Sequence, residues 1–163
     1  MATQTAPRSR TAARPTPASE PLIKPAPVTS AATRPAPAAS APALPLALVV
    51  DDEPAVRMLI GRLLARRGWA VREEADAASA LIAAEARRPN LVVTDYEMPS
   101  LSGYELAARL RALDAGLPIM MVSGYPEAAA RILALPGGHT AFAVKPFAPE
   151  DLMARIEDLV RTA

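Results

Sequence analysis

Five residues of chemically useful types follow short apolar runs in this sequence. They are Asp51 with Asp52, Asp95, Ser123 and Lys145. If the apolar runs form the strands of a parallel sheet, the residues that follow them meet at its carboxyl edge, where open α/β folds place their sites. We therefore expect three carboxylates, one hydroxyl and one ammonium to lie together.

This set of groups favours a particular chemistry. Carboxylates at one edge repel one another unless a cation lies among them, and an all-oxygen site with room for water suits Mg²⁺. One carboxylate could then attack phosphorus, while Mg²⁺ and Lys145 balance the charge of the transferring phosphoryl group. The set predicts phosphoryl transfer onto the protein itself.

The strands that must position these groups can be predicted from the apolar pattern. Four wholly apolar runs, at residues 46–50, 91–93, 119–122 and 141–144, suit central strands covered by helices on both faces. Residues 70–74 are more polar and are typical of an edge strand. Helix-like stretches alternate with the runs, which indicates crossover connections and a parallel sheet.

Helical periodicity and helix-breaking residues predict five helices. The first runs from Pro54 towards Gly68. The second is predicted over residues 76–87, the third over 104–113, and the fourth between Pro126 and the Pro136-Gly137-Gly138 segment. The apolar stripes of the first and last helices are Val56, Leu59, Ile60, Leu63 and Leu64, and Leu152, Ile156, Leu159 and Val160.

From Leu46 to the C-terminus the sequence resembles the CheY-like receiver domain of bacterial response regulators in two-component signalling. Four segments in the right order carry the resemblance: Val50-Asp51-Asp52-Glu53, Thr94-Asp95-Tyr96-Glu97-Met98-Pro99 followed by Gly103, Val122-Ser123-Gly124, and Val144-Lys145-Pro146-Phe147. The resemblance implies an α/β fold with a doubly wound, five-stranded parallel sheet in the order 2-1-3-4-5 and helices on both faces. The chain is also similar to receivers fused to hybrid histidine kinases.

The resemblance assigns roles to individual residues. Asp95 becomes the phosphoacceptor, and Mg²⁺ is held by Asp52 directly, Asp51 through water, Asp95 itself and the backbone carbonyl of Glu97. Ser123 is expected to donate to the phosphoryl oxygen in the active state.

Two further positions complete the implied site. Lys145 is expected to pair with the phosphoryl group, with a cis peptide bond to Pro146 that directs its side chain into the acidic pocket. Phe142 matches an aromatic switch position, although its composition alone fits an ordinary core residue.

The resemblance also implies a function and its partners. A sensor histidine kinase or a histidine phosphotransfer protein would supply the phosphoryl group to Asp95. The predicted last helix reaches the C-terminus, so we expect no output domain and no nucleic-acid partner. The signal would pass by protein contacts through the face made by the fourth helix, the fifth strand and the fifth helix, to a downstream protein or a second copy of the chain.

Two other functions remain open at this point. A hydrolase resembling haloacid dehalogenases would use an aspartyl-phosphate intermediate, but it needs a second aspartate two residues after the nucleophile, where this chain has Glu97. A binding module that works without phosphorylation would not need a complete acidic pocket. Taken alone, Asp51 and Asp52 favour the interpretation as a helix-capping pair.

The first 45 residues differ in composition from the rest. They hold ten of the 18 prolines, among many alanines, with five basic residues and one acidic residue. Such a segment buries too little apolar surface to offset its ordering entropy, so we predict a disordered tail over residues 1–45 and a receiver domain over 46–163. The net charge of +1 gives no reason to expect a membrane or nucleic acid as a partner. The absence of cysteine fits a cytoplasmic protein.

Overall fold

The computed structural model describes residues 43–163, so the predicted tail lies almost wholly outside the described residues. In chain order the elements are β1 (Leu46–Val50), α1 (Pro54–Arg66), β2 (Ala70–Glu74), α2 (Ala77–Ala86), β3 (Leu91–Asp95), α3 (Gly103–Leu113), β4 (Ile119–Ser123), a 3₁₀ turn (Pro126–Ala128), α4 (Ala129–Leu133), β5 (Thr140–Val144) and α5 (Pro149–Arg161).

The five strands form one parallel sheet in the order β2-β1-β3-β4-β5, which confirms the predicted topology. Every residue of β1, β3 and β4 is buried, as the apolar runs in these strands predict, and the polar residues that end β3 and β4 are buried with them. The two edge strands are partly exposed. This agrees with the prediction for β2, but the prediction of a central strand at residues 141–144 is wrong, because β5 lies at the edge of the described sheet. The register pairs Val50 with Thr94, Asp95 with Val122 and Ser123 with Val144, so the carboxyl ends of four strands lie side by side.

Alternate strand residues feed two separate apolar cores. On one face Leu48, Val92 and Met121 pack with α2, α3 and α4. On the other face Ala47, Val93 and Met120 pack with α1 and α5. Because both faces of the sheet are covered, only its edges and the loops at the strand ends remain open for chemistry.

Local sequence explains where most helices begin. Asp76 precedes α2 and its carboxylate accepts from the backbone N–H groups of Ala78 and Ser79, both at 2.9 Å. Ser102 and Glu105 form a reciprocal capping box at the start of α3. Prolines stand in the first turns of α1 and α5, where a missing N–H costs no helical hydrogen bond.

The fourth helix is shorter than predicted. It starts as a 3₁₀ turn at Pro126, and α4 ends at Leu133, before the prediction's Pro136. The N–H of Leu135 bonds to the carbonyl of Ile132 instead of continuing the α-helical pattern, and the Leu135 side chain is buried in the core. The helix therefore ends where the backbone turns so that the Leu135 side chain can enter the core.

The predicted buried stripe of α1 is wrong at one position. Ile60, Gly61 and Leu64 are buried against the sheet, whereas Leu59 is 41% exposed. The buried face is centred between Ile60 and Leu64, and Leu59 lies about 100° around the helix from Ile60. In α5, Val160 is only half-buried, while Leu152, Ile156 and Leu159 are buried as predicted.

Among the helices of residues 43–163, none combines the length and the apolar character that crossing a membrane requires. The cytoplasmic location stays a prediction.

Candidate functional site

Three carboxylates meet at the carboxyl edge of the sheet. Asp51 directly follows β1 and is 1% exposed, Asp95 ends β3 and is 6% exposed, and Asp52 is exposed to solvent. One carboxylate oxygen from each lies within 4.8 Å of the other two. Adjacent strands β1 and β3 place these residues together, as the sequence predicted.

Lys145 brings a positive charge to the two buried carboxylates. Its Nζ lies 2.9 Å from Asp51 Oδ2 and 3.2 Å from Asp95 Oδ1. Its backbone N–H donates to the carbonyl of Ser123, which extends the β4–β5 pairing one residue beyond β5. The bond between Lys145 and Pro146 is cis, which confirms that prediction.

The site changes the acidity of both charged partners. Burial raises the pKa of Asp95, and the neighbouring charge of Asp51 raises it further, while Lys145 acts in the opposite direction. Burial alone would lower the pKa of Lys145, but the hydrogen bond and the charge of Asp51, together with Asp95, hold that pKa above its ordinary value. The site therefore keeps its lysine charged and makes the Asp95 carboxylate costly to ionise.

One oxygen of Asp95 is a candidate ligand for a further cation. Asp95 Oδ1 is buried and accepts no hydrogen bond of good geometry among the described residues, although the Lys145 ammonium lies near it as an ion pair. A buried carboxylate oxygen without a hydrogen bond is costly, and a cation coordinated there would offset that cost. Three carboxylates with an exposed member fit Mg²⁺, which favours oxygen ligands and keeps part of its water shell.

Glu97 and Ser123 lie at the same edge of the sheet. Glu97 is two residues beyond Asp95, and its nearby backbone N–H acts to lower the pKa of Asp95, against the larger effect of burial. Its carbonyl as a Mg²⁺ ligand stays a prediction. Ser123 ends β4 and is fully buried, and its Oγ accepts from the N–H of Tyr125 at 2.9 Å. Within residues 43–163 the Ser123 hydroxyl donates to no acceptor, so its hydrogen is available to an incoming anion.

Phe142 does not touch the acidic cluster. It lies in the edge strand β5, paired in register with Met121, and is half-buried against the core that contains Ile132 of α4. Its carbonyl accepts from Arg155 Nη1 at 3.3 Å. The position connects β5 with α4, and its role as a switch stays a prediction.

The loop after β3 is fixed to the start of α3. The N–H of Gly103 donates to the carbonyl of Tyr96 at 3.0 Å, and a Cβ at Gly103 would collide with the backbone carbonyl of Asp95. The close approach of Gly103 to the Asp95 carbonyl explains why the sequence has glycine at position 103.

The start of α3 also contacts α4. Arg131 of α4 lies over the Tyr104 ring, with its guanidinium carbon 4.4 Å from the ring centroid.

Sequence reasoning did not identify Arg57, which also borders the site. Arg57 Nη1 donates to the backbone carbonyl of Asp51 at 2.5 Å. The signal available was a single basic residue one turn into α1, next to the predicted buried stripe, and that pattern alone is common on helices.

A doubly wound parallel sheet in this order, with buried aspartates and a lysine at its carboxyl edge, defines a CheY-like α/β domain. The model of the response regulator receiver domain family matches residues 47–157, and the chain belongs to that family. Domains of this family are phosphoacceptors in signalling, bind Mg²⁺ through acidic residues and interact with histidine kinases or phosphotransfer proteins.

Solved and curated relatives agree with this assignment. The receiver domain of NtrX from Brucella abortus is 33% identical, with a TM-score of 0.66 over 72% of this chain and 99% of that domain. The probable transcriptional regulatory protein TcrX of Mycobacterium tuberculosis is 34% identical over 114 residues, which cover 70% of this chain and 49% of the relative. Response regulator MprA of Mycobacterium sp. (strain KMS) is 38% identical over 114 residues, covering 70% and 50%. The chain spans about half the length of the curated relatives it matches.

Proposed function

We propose that this domain accepts one phosphoryl group on Asp95 from a histidine kinase or a histidine phosphotransfer protein. The observation that carries the proposal is the buried Asp95 Oδ1, which accepts no hydrogen bond among the described residues and faces the charge of Lys145. Membership of the receiver family favours this reading over the hydrolase and over a binding module that works without phosphorylation.

The transfer forms an O–P bond on Asp95 and breaks the P–N bond of the donor. An oxygen of the ionised Asp95 carboxylate bonds to phosphorus while the P–N bond to the donor imidazole breaks, and the donor ring, which already carries a proton on its other nitrogen, leaves as neutral histidine. Asp51, Asp52 and the Glu97 carbonyl would hold Mg²⁺, which neutralises charge on the phosphoryl oxygens when it is bound. Lys145, already 3.2 Å from Asp95 Oδ1, supplies a second positive charge from the position just after β5.

Ser123 is proposed to report the modification. Its hydroxyl already accepts from the N–H of Tyr125, and its own hydrogen can be donated to a phosphoryl oxygen on Asp95. Movement of Ser123 towards that oxygen would pull the loop leading to α4 and open space for Phe142 to turn inward. A local change of charge would thereby bias a two-state element.

The phosphoryl donor is proposed to dock beside α1. Met58 and Leu59, which are 45% and 41% exposed, form an apolar patch on the first turns of this helix. The same helix starts immediately after Asp52 and Glu53 at the edge where Asp95 lies. A donor helix packed on this patch would have its phosphohistidine close to Asp95.

The test of acceptance is stoichiometric labelling with a small phosphodonor such as acetyl phosphate, read by intact mass. We expect uptake to stop near one phosphoryl group per chain, only with Mg²⁺, and to disappear in Asp95→Asn. The matched control Asp158→Asn changes an exposed aspartate of α5 and should label like the unmodified chain. Full labelling of Asp95→Asn would refute the site, and release of many phosphates per chain would favour the hydrolase.

Readout is proposed to pass through the face made by α4, β5 and α5 to a protein target or a second copy. Tyr125 and Leu133, before and at the end of α4, are 54% and 57% exposed, and Val144 of β5 is 38% exposed. Backbone amide shifts with and without beryllofluoride, a mimic of the phosphoryl group, test this proposal. Changes should centre on Ser123, α4 and β5, and changes confined to α1 and α2 would contradict it.

A further inference from the structure

Arg57 is a charged side chain of α1 that the proposed chemistry does not use. Its side chain is only 16% exposed, although its neighbour Arg62 on the same helix is exposed. Burying a guanidinium costs free energy unless its N–H groups find acceptors. The acceptors that Arg57 finds therefore show what it holds in place.

The main acceptor is the backbone carbonyl of Asp51, 2.5 Å from Arg57 Nη1. This carbonyl belongs to the peptide group that joins Asp51 to Asp52. On the other side of the same segment, the N–H of Glu53 donates to Asp51 Oδ1 at 2.8 Å. Together the two bonds fix the orientation of the peptide group between Asp51 and Asp52. The two carboxylate side chains extend from the Cα atoms on either side of this group.

Arg57 is itself held by the edge strand β2. Its Nε lies 3.9 Å from Glu73 Oε2. The Glu73 side chain also lies over Gly61 of α1, where an added Cβ would meet Glu73 Oε1 and make this flexible side chain shift. The connection from Gly61 through Glu73 and Arg57 to the Asp51 carbonyl joins α1, β2 and the end of β1.

We propose that Arg57 is a positioning residue for the Mg²⁺ site, orienting the Asp51–Asp52 peptide so that both carboxylates face one cation. The proposal rests on the proposed function, because it presumes that the acidic cluster binds Mg²⁺. It goes beyond that function because the affinity for Mg²⁺ then depends on a residue that does not coordinate the ion. Partners of this kind, behind the direct ligands, typically change metal affinity by about 10-fold to 100-fold when they are removed.

The direction in which Mg²⁺ affinity changes when Arg57 is replaced distinguishes a positioning role from a purely electrostatic one. Arg57 carries a positive charge close to the cation site, so deleting it would strengthen Mg²⁺ binding if electrostatics alone mattered. A positioning role has the opposite sign, because a freely rotating Asp51–Asp52 peptide must be ordered when the ion binds. Weaker binding after the loss of a nearby positive charge is therefore diagnostic.

The experiment is calorimetric titration of the full chain with MgCl₂ at constant ionic strength. Arg57→Met should weaken Mg²⁺ binding by about tenfold. Arg62→Met removes the same charge from an exposed position of the same helix and should leave the affinity unchanged or slightly higher. Arg57→Lys, which keeps one donor for the Asp51 carbonyl, should recover part of the loss. Binding by Arg57→Met that is as tight as that of the unmodified chain, or tighter, overturns the proposal.

A second variant keeps the proposal testable if Arg57→Met folds poorly. Gly61→Ala leaves Arg57 in place but displaces Glu73, and it should weaken Mg²⁺ binding by less than Arg57→Met does. Unchanged affinity in a folded Gly61→Ala chain would remove Glu73 from the proposal. If the unmodified chain bound no Mg²⁺, the proposed function would fail together with this inference, whereas normal binding by Arg57→Met would overturn the inference alone.

Discussion

The ammonium of Lys145 lies 3.2 Å from Asp95 Oδ1, an oxygen that accepts no hydrogen bond among residues 43–163. The same ammonium is 2.9 Å from Asp51 Oδ2, so one lysine serves two buried carboxylates on neighbouring strands. This arrangement leaves Lys145 next to the carboxylate that we propose as the nucleophile.

Replacing Lys145 should separate binding from transfer. In Lys145→Gln we expect Mg²⁺ to bind at least as tightly, because the lysine ammonium no longer competes with the ion for Asp51. The rate of labelling should fall by about 10²-fold, because the positive charge near the transferring group is lost. The rate is measured with a small phosphodonor at saturating Mg²⁺, with Arg155→Gln on α5 as the control. An unchanged rate would show that Lys145 does not stabilise the transferring group.

Because the pKa of Asp95 is raised, the stability of the folded domain should fall as the pH rises. This pKa lies above the ordinary 3.8, so the contribution of Asp95 to stability is full below the unfolded pKa and is lost as pH rises through the folded pKa. In the presence of a chelator, Asp95→Asn should therefore melt at a higher temperature than the unmodified chain near neutral pH.

The difference in melting temperature should shrink as the pH falls towards the ordinary pKa of an aspartate, about 4. Thermal melts of both chains across this range measure it. The control Asp158→Asn changes an exposed ion pair and should give a small difference. A difference for Asp95→Asn that grew towards acid pH would contradict the burial argument.

Gly103→Ala tests the junction between β3 and α3. The added Cβ collides with the backbone carbonyl of Asp95, so the loop or the helix must shift. We expect a loss of about 1–3 kcal/mol in the free energy of unfolding and slower labelling at Asp95. Chemical denaturation measures the first effect, and Gly116→Ala, whose Cβ would make only an ordinary contact, is the control. Equal stability of the two variants would argue against the close approach.

Removing the Pro/Ala-rich segment tests the predicted domain boundary. The carbonyls of Leu44 and Pro45 accept hydrogen bonds from Arg87 and from the N–H of Ala70, so a shortened chain should begin at Ala43. We expect the melting temperature and the labelling stoichiometry of residues 43–163 to match those of the full chain. A melting temperature lower by several degrees would show that the segment packs on the domain.

The fold was predictable because its signals are redundant along the chain. Each central strand is continuously apolar, each crossover has helical periodicity, and polar residues follow the strands at the edge where such sheets place their sites. The positions of Asp51, Asp95 and Lys145 followed directly from those strand ends. The acidic cluster was therefore predictable from the strand ends, whereas the cis bond at Pro146 followed from the resemblance to receiver domains.

What escaped prediction depends on packing between elements that are distant in sequence. Arg111 looks like an exposed helix residue, but it is 7% exposed and donates to the carbonyls of Ala115 and His139. Leu59 fits the helical pattern, yet the sheet contacts a narrower face of α1. Arg57 could be recognised only once its partner was known to be a backbone carbonyl, because carbonyls leave no trace in a sequence pattern.

The shortness of α4 has a consequence for the motion of this domain. A single helical turn after a 3₁₀ turn has few internal hydrogen bonds to lose, so it can open without disrupting the sheet beside it. Its amides should exchange with deuterium ahead of those of α3, which is 11 residues long and carries a capping box. Local unfolding of α4 would loosen the surface that follows Ser123, while the sheet and α3 stay intact.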